Sequence, residues 1–165
     1  MKERKIDIII KEYAFDELPA EDRELVEAAK ESTRNAYAPY SRFHVGAAIR
    51  METGEIVCGA NQENAAFSSG TCAERSACFY AGANHPGVKM VKIAIAAWSK
   101  ADGPEDATFE ECYQAKPISP CGSCRQSLLE YEKLFGPMEV ILYGREVVYV
   151  FPSVASLLPF CFTEF

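Results

Sequence analysis

The segment "VKMVKIAIAAWS", residues 88–99, constrains the fold more than any other stretch of the chain. Apart from two lysines and the closing serine it is apolar throughout, without alternation between polar and apolar residues. A strand with this pattern is expected to be buried on both faces, because an exposed face would carry polar side chains. The segment therefore predicts a sheet that is covered by helices on both sides.

Signals along the rest of the chain predict the element order α, β, β, α, β, α, β, β, α. The predicted helices are 16–37, 71–84, 121–136 and a short final helix or turn at 154–162. The other predicted strands are 43–51, 55–61, 138–144 and 146–151, of which the first two form a hairpin. This order predicts one α/β domain over 1–165 with a sheet of about five strands, a short N-terminal extension (about 1–15) and an acidic loop at 101–117.

Charge and hydropathy exclude several classes of function. The chain has 17 basic and 24 acidic residues, and its net charge of −7 repels polyanions. We therefore expect a small-molecule substrate and no nucleic-acid polymer as partner. No apolar run reaches the roughly 18 residues of a membrane span, and no signal peptide is recognisable, so we expect a cytoplasmic protein without a membrane partner. In that compartment, seven cysteines argue for functional thiolates and against a disulfide framework.

Two of these cysteines, Cys121 and Cys124, lie in "SPCGSC" at the start of a predicted helix. A CxxC pair at a helix start has a lowered thiol pKa, which suits a dithiol oxidoreductase. The same spacing suits half of a metal site. The pair alone favours neither alternative.

A second segment, "GTCAERSA", favours the metal. Cys72 also opens a predicted helix, and Glu74 follows two residues later. Taken singly, Cys72 is a typical buried residue and Glu74 a typical solvated glutamate of a first helical turn. Three thiolates from two helix starts, however, could hold a tetrahedral zinc whose fourth position stays open for water, while Glu74 moves protons. A non-catalytic, zinc-stabilised binding module is a further alternative, but it would not need Glu74.

The pair of motifs "CAER" and "PCGSC" resembles the zinc-dependent nucleoside deaminases. Cysteine at the first ligand position is similar to the small tetrameric cytidine deaminases. The segments "YAPYSRFHVGAAI", "NQENAAFSSGTCAER", "SPCGSCRQ" and "LLPFCF" are also similar to that family, over roughly residues 20–162. The resemblance implies a three-layer α/β/α sandwich around a mixed sheet. It also implies zinc-dependent hydrolytic deamination of cytidine and deoxycytidine to uridine and deoxyuridine in pyrimidine salvage.

By the same resemblance, one Zn²⁺ per chain is held by Cys72, Cys121 and Cys124. Glu74 is then the proton shuttle. Arg75 would hydrogen-bond the ligand sulfurs and so draw charge away from an electron-rich metal.

The resemblance also implies how the substrate is held. Asn61 and Glu63 would bind the ribose hydroxyls, Phe43 would pack against the pyrimidine, and the backbone of Ala73 would read the edge of the base together with Glu74. Phe162 would stack on the base in a neighbouring subunit, so active sites would be shared within a homotetramer.

Two points qualify this resemblance. A blasticidin-type deaminase would have the same zinc site, although the ribose motif "NQEN" speaks against it. In addition, Phe67 stands where many members of the family have tyrosine, so any hydrogen bond from that hydroxyl is lost.

Overall fold

The central strand of the protein is β4, Met90–Ser99. The computed structural model describes residues 1–99 and 108–163. Within β4, the residues from Ile93 to Ala97 are almost inaccessible to solvent. The prediction that this segment is buried on both faces is therefore confirmed.

The sheet has the strand order β1-β6-β5-β4-β2-β3. Strand β4 runs parallel to β5, and every other neighbouring pair is antiparallel. The remaining strands are β1 (Lys11–Tyr13), β2 (Phe43–Met51), β3 (Ile56–Ala60), β5 (Glu139–Tyr143) and β6 (Val148–Phe151). The helices are α1 (Ala20–Ser32), α2 (Ala73–Asn84) and α3 (Gly122–Phe135). The α/β class is confirmed.

The predicted number of about five strands is one too low. The additional strand, β1, lies in the predicted N-terminal extension and pairs with β6 along the edge of the sheet. Its sequence, Lys-Glu-Tyr, is short and offers no alternation of polar and apolar residues. The strand forms because β6 leaves an open edge, which is a tertiary cause that local patterns do not reveal.

The first helix is shorter than predicted. Pro19 precedes α1, and the flanking residues Phe15–Glu17 and Thr33–Asn35 form short 3-10 turns instead of extending the helix. Helix α1 buries Leu25 and other apolar residues against one face of the sheet. Gly46 of β2 permits this contact, since a Cβ there would overlap the carbonyl oxygen of Ala29.

Helices α2 and α3 cover the other face of the sheet. The first turn of α2 lies directly on β3 at Gly59. A Cβ at that glycine would come within 2.5 Å of the Ala77 nitrogen and 2.7 Å of the Ala73 oxygen. Because this residue has no side chain, the start of α2 can pack directly against the sheet.

The predicted short final helix or turn at 154–162 is a 3-10 turn, Val154–Leu157, followed by an extended tail. Pro159 disfavours helical geometry at the residue before it, which explains the early end. Part of the predicted acidic loop, at 101–107, lies outside the described residues. In the described remainder, Phe109 and Tyr113 pack edge to face, and Phe109 contacts Trp98 of β4 in the same way. Across the ranges 1–99 and 108–163, no helix has the length and apolarity to span a bilayer.

Candidate active site

The starts of α2 and α3 bring three cysteines together. Cys72 is the residue that precedes α2, Cys121 precedes α3, and Cys124 lies in the first turn of α3. The Sγ atoms of Cys72 and Cys121 are 3.9 Å apart, and those of Cys121 and Cys124 are 3.5 Å apart. All three sulfurs lie within 4.8 Å of one another. The positive ends of two helix dipoles thus converge on the cluster and favour thiolates there.

The geometry of this cluster fits a tetrahedral zinc ion. With Zn–S bonds of about 2.3 Å, the sulfurs of a tetrahedral site are about 3.8 Å apart. The two sulfur–sulfur distances, 3.9 Å and 3.5 Å, are close to that value. A dithiol redox pair would need only Cys121 and Cys124, whereas here a third sulfur from another helix is in contact. The three cysteines are therefore positioned to bind a metal.

The pKa values of two thiols in this cluster, Cys72 and Cys124, are shifted in opposite directions. A hydrogen bond from the Cys124 thiol, together with a weaker one from Arg75, lowers the pKa of Cys72 to about 5, although partial burial opposes the shift. The same hydrogen bond raises the pKa of Cys124, which is its donor, and burial adds to the effect. Although burial opposes the shift, the hydrogen bonds and charges of Cys72 and Cys124 raise the pKa of Arg75, and a role of Arg75 toward the ligand sulfurs remains a prediction.

Glu74 is the second residue of α2 and is only 4% exposed. Its burial raises the pKa of its carboxyl, and the charge of Cys72 adds to that effect. Glu74 is therefore a buried carboxyl beside the sulfur cluster, while the metal-binding set itself consists of the three cysteines. A carboxyl in such a position can accept and return protons at a neighbouring reaction centre.

A cavity of about 570 Å³ opens beside the sulfur cluster. Cys72 forms part of its wall, and Glu63 is the predicted substrate residue that lines it. The other lining residues are Tyr40, Ser41, Gln62, Asn64, Ala65, Phe67, Gly70 and Thr71. Phe67 lines the cavity and is 98% exposed, so its ring projects from the wall into open space.

Asn61 lies at the end of β3 and is hydrogen-bonded to β2. Its Oδ1 accepts from the Val45 N–H at 2.8 Å, and its Nδ2 donates to the Phe43 carbonyl at 2.9 Å. The structure thus brings Asn61 and Phe43 together as predicted, but the amide joins two strands. A role of Asn61 in binding the ribose remains a prediction.

Glu63 is held by a different loop. Its Oε2 accepts the N–H groups of Tyr40 and Ser41 at 2.9 and 3.2 Å. Its other oxygen, Oε1, has no protein donor among the hydrogen bonds seen in the described residues. Glu63 is thus anchored at one oxygen on the wall of the cavity. Ala73, predicted to contact the base, is fully buried in the first turn of α2.

The tail presents Phe162 away from its own cavity. The side chain is 65% exposed, while the Phe162 carbonyl accepts a hydrogen bond of 2.8 Å from Gln126 Nε2. Phe162 does not line the cavity of its own subunit. The contact of Phe162 with a neighbouring subunit remains a prediction.

The family model for the cytidine and deoxycytidylate deaminase zinc-binding region matches residues 19–135, which include all three cysteines and Glu74. The chain belongs to this deaminase family. The fold predicted for the chain, a cytidine deaminase-like α/β sandwich around a mixed sheet, is confirmed by the structural relatives.

Three relatives illustrate the similarity. Cytidine deaminase from Sporosarcina psychrophila is 38% identical over 140 residues, which are 85% of this chain and 90% of the relative. Blasticidin-S deaminase from Bacillus cereus is 30% identical over 144 residues, which are 87% of this chain and 94% of the relative. The crystal structure of cytidine deaminase from Burkholderia pseudomallei superposes with a TM-score of 0.68 at 38% identity, covering 84% of this chain and 97% of that one.

Sequence reasoning missed part of the wall of this deaminase cavity. Tyr40 and Ser41 line it and donate to Glu63, but only Phe43 was selected from the segment "YAPYSRF". A signal was present, since Pro and Ser directly before a strand indicate a turn with free N–H groups. Such a turn commonly binds an anionic group, here the carboxylate of Glu63.

Proposed function

We propose that this chain catalyses the zinc-dependent hydrolytic deamination of cytidine and deoxycytidine to uridine and deoxyuridine, in cytoplasmic pyrimidine salvage. The observation that carries the proposal is a buried glutamate beside a three-cysteine cluster at the edge of a substrate-sized cavity. Membership of the deaminase family supports it. The whole chain, residues 1–165, would act as a single domain.

The chemistry proposed for the site divides between the metal and Glu74. Cys72, Cys121 and Cys124 would hold the zinc, which as a bound Lewis acid supplies activation of the attacking water. Glu74 would take one proton from the attacking water and deliver it to N3 of cytosine as the water oxygen bonds to C4. Glu74 would then take the second proton of that oxygen and deliver it to the exocyclic amine as the C4–N bond breaks, so cytidine and water become uridine and ammonia. Burial suits Glu74 to this role, because a raised pKa brings a carboxyl closer to the operating pH.

The cavity wall supports a nucleoside over a nucleotide as substrate. Its described lining residues include the anionic Glu63 but neither lysine nor arginine. A phosphate group would be repelled by Glu63 and would lack the cationic partners that normally bind it. Uncharged ribose or deoxyribose hydroxyls can instead donate to the Oε1 atom of Glu63.

The proposed assembly is a homotetramer with shared active sites. Helices α2 and α3 expose Phe79, Tyr80 and Leu134, and the nearby tail exposes Phe160 and Phe162. An apolar surface of this kind is typical of an interface between subunits. Within the tetramer, Phe162 would stack on the pyrimidine bound to a neighbouring chain and exclude water from its site.

Blasticidin S is the alternative substrate, because Blasticidin-S deaminase from Bacillus cereus is also similar over most of this chain. The anchored Glu63 favours cytidine, since a carboxylate already fixed at one oxygen is suited to binding a sugar hydroxyl.

The decisive experiment measures zinc content and ammonia release together. We expect about one zinc per chain, as three ligands and a water form one site. Ammonia should be released from cytidine and deoxycytidine, much faster than from blasticidin S or deoxycytidylate. Cys121→Ser should lose both zinc and activity. Metal-free protein with full activity would disprove the mechanism. Faster deamination of blasticidin S than of cytidine would show that blasticidin S is the substrate.

A further inference from the structure

Residues 37–43 form a turn at the edge of the cavity that is held by main-chain hydrogen bonds. The Tyr37 N–H donates to the Asn61 carbonyl at 2.9 Å, and the Tyr37 carbonyl accepts the Glu63 N–H at 2.8 Å. The Arg42 N–H then closes the turn on the Ala38 carbonyl at 3.0 Å. Hydrogen bonds thus fix the start of the segment to the residues that follow β3. A further hydrogen bond joins two residues within the segment.

Arg42 shows that this turn is held in an unfavourable conformation. Its φ of 56° lies in the left-handed region, the sole such value for a non-glycine residue in the ranges that the structure describes. That conformation costs on the order of 1 kcal/mol for an ordinary residue. It persists only where surrounding contacts determine the backbone, as they do at many binding sites.

Ser41 makes contacts on both sides of this turn. Its N–H donates to Glu63 Oε2 at 3.2 Å, and its Oγ accepts the Phe43 N–H at 3.0 Å. The Ser41 side chain is also the strongest of the hydrogen-bonding groups that lower the pKa of Glu63. A single residue therefore connects the two groups: its N–H holds the carboxylate proposed for the sugar, and its Oγ holds the backbone that carries the ring proposed for the base.

We propose that Ser41 is a positioning residue that fixes Phe43 relative to Glu63 and thereby sets the affinity for the nucleoside. The inference rests on the proposed function, because the roles of Phe43 and Glu63 come from it. Ser41 does not touch the sulfur cluster in any contact seen here, and its partners would hold the sugar and the face of the base, not the atoms between which bonds form and break. Loss of Ser41 should therefore weaken the binding of the ground state and of the transition state equally.

Kinetics of Ser41→Ala test this proposal. Loss of one neutral hydrogen bond should raise KM for cytidine about five-fold and leave kcat within about two-fold. Ser41→Thr keeps the hydroxyl and should restore KM. In a Glu63→Gln background, the effect of Ser41→Ala should shrink, because the partner that it positions no longer binds normally.

Thr53→Ala is the matched control. Thr53 lies in the turn between β2 and β3, and its Oγ1 accepts the Glu55 N–H, two residues on, just as Ser41 accepts that of Phe43. The contact is of the same type at the far end of β2. Its loss should leave KM unchanged. An unchanged KM in Ser41→Ala, or an equal rise in Thr53→Ala, would overturn the proposal.

Hydrogen exchange of the ligand-free protein separates this proposal from the proposed function. The Phe43 amide should exchange about five-fold faster in Ser41→Ala, because its acceptor is gone. An unchanged exchange rate would overturn the role of Ser41 whatever the substrate is. If exchange accelerates but the wild-type protein does not deaminate cytidine, the proposed function fails and the role of Ser41 in ordering the turn stands.

Discussion

Two glutamates on neighbouring helices are almost equally buried but differ in their surroundings. Glu74, near the start of α2, is 4% exposed, and Glu132, near the end of α3, is 8% exposed. Glu132 accepts the N–H groups of Met138, Val154 and Ala155 at 2.7–3.1 Å. For Glu74 the neighbours are its own N–H, the Cys124 thiol and a cluster of sulfurs.

The difference lies in what each carboxyl can still do. Both oxygens of Glu132 are occupied by main-chain donors, so that group holds α3, the start of β5 and the tail turn together. Glu74 has its own N–H as main-chain donor, and burial, the largest cause of its shift, raises its pKa and leaves the carboxyl able to exchange a proton. Equal burial thus yields a structural residue in one helix and a candidate catalytic residue in the other.

Glu74→Gln should give the largest effect. The substitution keeps the size of the side chain and removes the base, so turnover should fall by about 10²–10⁴ or more. The zinc content should stay unchanged, because the three cysteines remain. Ammonia release and metal analysis on the same sample check both expectations. Turnover of cytidine near the wild-type rate would show that Glu74 is not the proton shuttle.

Glu132→Gln should reverse the pattern of Glu74→Gln. The amide can no longer accept three N–H groups, and the buried donors left unpaired should lower the free energy of unfolding by about 3–4 kcal/mol. Activity per bound zinc should change little at temperatures where the variant is folded. Denaturant unfolding and kinetics measure the two quantities. A variant of normal stability but low turnover would remove the contrast between the two residues.

Glu63→Ala should have an intermediate effect, because Glu63 is anchored at one oxygen only. We expect kcat/KM for cytidine to fall, which corresponds to a loss of transition-state stabilisation of about 2–4 kcal/mol. The cause is the loss of a charge-assisted hydrogen bond, which leaves its partner unpaired. The zinc should remain in place. Equal activity of the variant and the wild type on cytidine would show that "NQEN" is only a loop.

Phe162→Ala should have the smallest effect and concerns the neighbouring subunit. Loss of one stacking ring should lower kcat/KM by about 1–3 kcal/mol while zinc is kept. Mixing this variant with Glu74→Gln should restore some activity after subunit exchange, because one kind of mixed site has both residues. A fully active monomer in light scattering, or a variant identical to the wild type, would exclude shared sites.

The sequence predicts most of the fold and the metal cluster because both rest on local signals. The apolar β4 segment and the cysteines at helix starts could be recognised directly, and the structure places Cys72 beside Cys121 and Cys124 as expected. Strand β1 and the early end of α1 could not be predicted well. Both depend on tertiary pairing or on 3-10 geometry that has no strong sequence signal.

The same distinction applies to the substrate residues. Asn61 and Glu63 could be selected from "NQEN", but their actual contacts could not, because their donors and acceptors belong to a distant segment of the chain. Glu132 likewise has no motif. Its partners follow it by 6, 22 and 23 residues, and only the folded chain brings them to one carboxylate.

Gly46 and Gly59 allow the helices to lie close to the sheet near the place where the site is built. Main chain packs on main chain there, with α1 on one side of the sheet at Gly46 and α2 on the other at Gly59. Side chains elsewhere in the core can change rotamer to absorb a small displacement, but two backbones in contact have no such freedom. The spacing between β3 and the helix that carries Glu74 is therefore hard to adjust, and a single methyl group added at Gly59 should shift the metal-binding end of α2.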